Sequence, residues 1–230
     1  MERAKPSVLV LGIGNLLWAD EGFGVRAIEE LHRQFEFDDN VRLMDGGTQG
    51  IYLVQHVREA DILIVFDAVD YGLPPGTMKL VEGDEVPKFL GARKVSLHQT
   101  GFQEVLAMAE MMGEYPSHLL LIGVQPVELE DYGGSLREEV KAQITPAIEQ
   151  ALAFLAPFGI TAKLRDVPLS DEETIASTEM ALTRYEGERP DEKAALRVGD
   201  QRVVSSSDWQ GPADFEAEME ELVNSPWSAS

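Results

Sequence analysis

The sequence predicts an α/β protein: a three-layer, twisted, mostly parallel sheet with helices on both faces and one antiparallel strand at an edge. Two observations carry that expectation. The apolar runs Val8–Leu11, Ile62–Phe66 and Leu119–Val124 show no polar alternation, as strands buried on both faces require. Between them lie segments whose apolar residues recur at helical spacing, so strands alternate with helices in the order of a doubly wound sheet.

The first strand, Val8–Leu11, stops at Gly12-Ile13-Gly14-Asn15. After the loop Leu16–Ala19, Asp20 and Glu21 open a helix with Phe23, Ala27, Ile28 and Leu31 on one face. Asp20 is expected to be its N-cap, because a carboxylate there accepts from the free amides of the first turn. Val41–Met44 is the second strand, ended by Asp45-Gly46-Gly47-Thr48, and Ile51–Val57 a second amphipathic helix. The third strand ends at Asp67 and Asp70, and Pro74-Pro75-Gly76 turns the chain into Thr77–Val81, the antiparallel edge strand. A short helix is expected around Val86–Leu90, then a loop through Lys94–His98. The face Phe102, Val105, Leu106, Ala109, Met112 marks another helix, and Val140, Ile144, Ile148, Leu152 and Leu155 mark a long closing one after the last central strand.

From about Lys163 the periodicity ends. The chain thus divides into a domain over residues 1–162 and an acidic, Ser-containing C-terminal extension over 163–230, read as flexible or loosely docked, with one short helix over Glu216–Val223. A hydrophobic share of 44% and a charged share of 26% give the domain enough apolar material for a packed core. The net charge of -22 repels phosphate backbones and anionic headgroups, which argues against nucleic acid or a membrane surface as partner. There is no cysteine, so disulfides, thiolate-bound zinc and a cysteine nucleophile are excluded, and any metal must sit on oxygen and nitrogen. The apolar run that follows Met1–Pro6 is too short for a signal peptide, and no stretch spans a bilayer, so a cytoplasmic protein is expected.

Right-handed crossovers deliver the carboxyl ends of parallel strands to one edge, where open α/β sheets bind ligands. The loops arriving there carry Asn15, Asp20, Glu21, Asp45, Asp67, Asp70, Gln125 and Glu128. Most have a plain structural reading. Glu21 is favourable beside a helix N-terminus on dipole grounds alone, Asp45 before two glycines holds an Asx-type turn, and Asp70 near Gly72 and Pro74 is solvated. Asp67 differs, because a carboxylate ending so apolar a strand is costly to desolvate unless a cation meets it. His32, His56 and His118 suit surface or boundary positions. His98, in a loop with Ser96, Gln99 and Thr100, is placed to present an imidazole to a cleft as ligand or base.

Glutamate, aspartate and histidine together suit a borderline divalent ion and leave coordination positions open, although their irregular spacing has little specificity by itself. Gly12 and Gly14 suggest a dinucleotide fingerprint that then fails, since Leu17 holds the third glycine position. No Walker lysine and no Gly-x-Ser-x-Gly elbow is present.

Read together, Val10–Leu17, Asp20-Glu21-Gly22-Phe23-Gly24-Val25, Asp45-Gly46-Gly47-Thr48, Asp67-Ala68 and His98-Gln99 resemble the hydrogenase maturation endopeptidases in order and spacing, as do Gly76-Thr77-Met78 and Gly123-Val124-Gln125-Pro126. The resemblance runs from about Ser7 to Gly159. It implies a hydrogenase maturation protease domain whose catalytic and metal-contacting residues map onto Glu21, Asp67 and His98. It also implies a partner, the large-subunit precursor of a nickel-iron hydrogenase, whose C-terminal peptide is removed once nickel is in place. In that family the nickel is carried by the substrate and acts as the recognition signal. Two other readings are a non-catalytic module that binds nickel-loaded precursor without cutting it, and a small-ligand or nucleotide-binding α/β protein.

Overall fold

The computed structural model describes residues 5–92, 97–175 and 178–188, with 89–92, 97–100 and 179 given by their backbone alone. In chain order the elements are β1 (Val8–Ile13), α1 (Phe23–Gln34), β2 (Phe35–Glu36), β3 (Val41–Gly47), α2 (Val54–Arg58), β4 (Ile62–Ala68) and β5 (Met78–Glu82). There follow α3 (Glu85–Ala92), α4 (Leu97–Met111), β6 (His118–Val124), α5 (Glu138–Lys141), α6 (Ile144–Leu155), β7 (Lys163–Leu164) and α7 (Leu182–Gly187). Short 3-10 turns at Ala19–Gly22 and Gly50–Leu53 lead into α1 and α2. No helix among the described residues is long and apolar enough to cross a membrane.

The main sheet has the order β3-β1-β4-β6-β5. β3, β1, β4 and β6 run parallel, and β5 lies antiparallel on β6 at the edge, as the proline turn before it predicts. Strand residues alternate between two cores. Val8, Val10, Ile62, Ile64 and Phe66 pack with α1 and α6 on one face. Leu9, Leu11, Leu63, Val65, Leu119 and Leu121 pack with α2, α3 and α4 on the other. Each fully buried Leu, Ile, Val or Phe stabilises by roughly 1.5–3 kcal/mol, which is why these strands show no polar side in the sequence.

The closing helix is interrupted, forming α5 and α6 with Ala142 and Gln143 between them. Pro146 explains the break. It has no amide to offer the Ala142 carbonyl four residues earlier, and its ring crowds that carbonyl. Past residue 162, β7 pairs antiparallel with β2, a two-residue ribbon that no periodicity announces. The chain continues across the α1 face through the Arg33–Asp171 ion pair (2.5 Å) and the Lys141–Glu186 ion pair (2.8 Å), and Ile175 packs on the core there. The helix expected over Glu216–Val223 lies outside the described residues.

Candidate active site

β1 hands the chain to α1 on one face, while the chain leaving β4 reaches α3 and α4 on the other. The chain therefore leaves the carboxyl ends of these neighbouring strands toward opposite faces, a switch point at which doubly wound sheets carry their ligand-binding crevice. Glycines bring the start of α1 to that crevice. A Cβ on Gly24 would fall less than 3.0 Å from the carbonyl oxygens of Ile13 and Phe66, and one on Gly12 would strike the Gly24 carbonyl. Gly14, with φ +141°, folds the loop so closely that a Cβ there would overlap the Glu21 carbonyl. The Gly12 and Gly14 pair thus serves packing and chain reversal.

Glu21 sits in the 3-10 turn that packs against β4. It is half-buried, and that burial pushes its carboxyl above the usual carboxylate value. Asp67, only 1% exposed, lies one residue from the end of β4 and shares the parity of Leu63 and Val65, so it points to the α4 face. His98 is expected in a loop but is the second residue of α4, whose Phe102, Val105, Leu106 and Ala109 pack on the same face. Helix starts read from sequence carry errors of this size. The His98 side chain lies outside the described residues, among which no three histidine, aspartate or glutamate groups gather as a metal cage.

Asp20 is not an N-cap; neither the 3-10 turn nor α1 has a side-chain cap. Its fully buried carboxylate instead accepts three backbone amides from the loop after β6: Val127 at 2.8 Å, Glu128 at 2.9 Å and Arg137 at 2.7 Å. The same loop is tied to the one after β1 by Gly133 N donating to Leu17 O at 2.7 Å and by an edge-on contact of the Trp18 and Tyr132 rings. A short-range capping rule misses Asp20 because its partners lie more than a hundred residues away.

Asp45 does hold an Asx turn, its Oδ1 accepting Gly47 N at 2.8 Å. It shares parity with Leu43, which packs on the α1 side, and feels Arg26 of α1, so it belongs to the face opposite Asp67. Burial pushes its carboxyl up. Asp70 is not simply solvated. It accepts from Gly72 N at 2.8 Å and Gln125 Nε2 at 2.9 Å, while Gln125 Oε1 accepts Tyr71 N at 2.7 Å. Gln125 thereby clamps the loop after β4 onto the end of β6. Asn15 Oδ1 accepts Leu17 N at 3.0 Å, a turn role. His56 meets Arg42, the His118 ring packs on Phe158, and His32 lies within α1.

Comparison with known proteins follows the same outline. A family model described as hydrogenase maturation protease matches residues 25–154. The chain is 64% identical over 204 residues, covering 89% of itself and 92% of the relative, to a hydrogenase expression/formation protein HupD of Thiocapsa roseopersicina. Among solved structures it resembles the hydrogenase maturating endopeptidase HybD from E. coli, with TM-score 0.66 and 41% identity over 69% of this chain and 98% of that one. It also resembles a [NiFe] hydrogenase maturation protease HybD from Thermococcus kodakarensis, with TM-score 0.52 and 27% identity over 64% of this chain and 98% of that one.

Proposed function

Because this chain belongs to the hydrogenase maturation protease family, we propose that it is the cytoplasmic endopeptidase that removes the C-terminal peptide from a nickel-loaded large-subunit precursor of a nickel-iron hydrogenase. The observation that carries the reading is the burial of Asp67 near the end of an otherwise apolar strand that packs against the turn bearing Glu21, on the face covered by α4, whose second residue is His98. A buried carboxylate is an oxygen donor suited to a divalent ion, and in this reading the substrate's nickel is the ion it meets.

In this reading Glu21, Asp67 and His98 offer oxygen and nitrogen donors to a nickel whose thiolates belong to the substrate. A precursor without nickel then lacks the bridging ion and binds weakly. Having no cysteine, the enzyme does not compete for the ion with thiolates of its own. Hydrolysis adds water to the scissile carbonyl carbon, breaks the carbon–nitrogen bond and delivers a proton to the leaving amine. Asp67 or Glu21 is suited to take the proton from the water and return it to the amine.

The test is intact-mass measurement of the precursor, with and without nickel, after incubation with the wild-type chain and with Glu21→Gln, Asp67→Asn and His98→Ala. Expected are cleavage of the nickel-loaded form by the wild type alone and no cleavage of the nickel-free form. Full processing by all three variants overturns the residue assignment. Binding of loaded precursor without any mass change overturns the enzymatic role.

A further inference from the structure

Two loops meet beside Glu21 and hold apolar side chains in solvent. Leu17, in the loop after β1, is 39% exposed, and Val127 at 43% and Tyr132 at 49% stand in the loop after β6. Their backbones are tied together. Gly133 N donates to Leu17 O at 2.7 Å, Trp18 and Tyr132 form an antiparallel bridge with their rings edge-on, and Val127 N donates to the Asp20 carboxylate at 2.8 Å. Glu21 N donates to Trp18 O at 2.9 Å, so the turn that carries Glu21 grows from the same junction.

Single exposed apolar side chains are ordinary on a protein surface. These three differ because they stand on one junction of two loops whose amides already have acceptors, so presenting them to a partner costs little further ordering. A tyrosine held against a tryptophan is the kind of anchor on which protein interfaces depend. The charge around them is of one sign. Residues 14–22 and 126–136 include Asp20, Glu21, Glu128, Glu130 and Asp131, and neither a lysine nor an arginine. Asp20 is occupied by backbone amides, but Glu130 is exposed and Glu128 partly so.

Resting on the function proposed above, we propose that this junction docks the precursor segment next to the scissile bond, and that the segment offers apolar side chains flanked by lysine or arginine. Leu17, Val127 and Tyr132 supply the apolar centre and Glu128 and Glu130 the polar rim, the arrangement of a protein–protein interface. An acidic rim repels an acidic segment and draws a basic one, which steers the encounter and sets its register. Recognition then has two parts. The nickel marks a precursor that is ready, and the junction fixes where its chain lies relative to Glu21.

The experiment follows intact mass over a series of nickel-loaded precursor concentrations with the full chain, comparing wild type, Tyr132→Ala, Leu17→Ser, Val127→Ser and Glu130→Lys. Met111→Ser is the control, since Met111 is 87% exposed at the end of α4 remote from His98. Expected are a KM raised about 10-fold for Tyr132→Ala and about 3-fold or more for the other three, with wild-type KM for Met111→Ser. Tyr132→Ala loses its ring contact with Trp18, so thermal midpoints accompany the rates. Leu17→Ser and Val127→Ser leave that contact in place and decide the matter if Tyr132→Ala unfolds. Wild-type KM in both Leu17→Ser and Val127→Ser, or in Glu130→Lys, overturns the docking surface and leaves the proposed function standing. No cleavage by the wild type removes the function and the docking surface together.

Discussion

Asp20 Oδ1 accepts the backbone amide of Arg137 at 2.7 Å, joining the start of the first helical layer to a loop 117 residues further along the chain. With the two amides on Oδ2, one carboxylate answers three buried backbone donors. Asp20→Ala leaves those donors without an acceptor, and the expected cost is roughly 3 kcal/mol or more. Asp20→Asn is expected to fall between, because its amide retains only one accepting oxygen. Urea unfolding midpoints measure both, and an Asp20→Ala protein as stable as wild type would contradict the account.

Gly24→Ala is predicted to be far more harmful than an ordinary helical Gly→Ala exchange, which by propensity alone would stabilise by about 1 kcal/mol. The added carbon meets backbone carbonyls of two different strands, and neither has freedom to rotate aside. The expected loss is about 3 kcal/mol or more, read as a lower thermal midpoint. Gly187→Ala, where nothing stands within 4 Å, is the matched control and should have little effect.

Arg26 is 3% exposed, donates to Glu29 Oε2 at 2.9 Å and to the Met180 carbonyl at 2.6 Å, and lies over the Tyr185 ring. Arg26→Met strands a buried carboxylate and frees the chain near Met180, for an expected cost of roughly 3–5 kcal/mol. Adding Glu29→Leu should return much of that, since a well-packed apolar pair often replaces a buried ion pair without loss. Denaturant titration of the single and double variants decides it. A double variant no better than Arg26→Met would contradict the prediction.

Glu29 also predicts a pH dependence. Burial raises its carboxyl above 4.5 despite the opposing Arg26 and Arg33 charges, and Asp45 adds to the rise. The folded state thus holds the proton more tightly than the unfolded chain, so this group's contribution is greatest below pH 4.5 and declines as pH climbs through the raised value. In Glu29→Gln that titration is absent. The stability of the variant relative to wild type should therefore grow between about pH 4 and pH 7, and a difference that shrinks over that range would be the contrary result.

The parts of the fold legible in the sequence were those fixed by local pattern. Ile62–Phe66 could only be a strand covered on both sides, and the proline turn before Met78 set the antiparallel edge. Asp67 stood out because five apolar residues precede it. What escaped notice depends on distant partners. Asp20 looks like a cap until the loop 127–137 folds over it, and Leu17 and Tyr132 mean little until the Gly133 amide ties their loops together. The β2–β7 ribbon is too short to show a period, and the apolar spacing of the closing helix continues unchanged across Pro146, so the spacing does not reveal the break.

The parity of the sheet has a practical corollary. Asp67 looks toward α4, whereas Asp45, Arg26 and the chain from β7 to α7 occupy the reverse side. The molecule thus has a front and a back. Exposed positions on the back such as Thr183 and Arg184 offer anchorage for a fluorophore or a sensor chip on the side away from the face toward which Asp67 points.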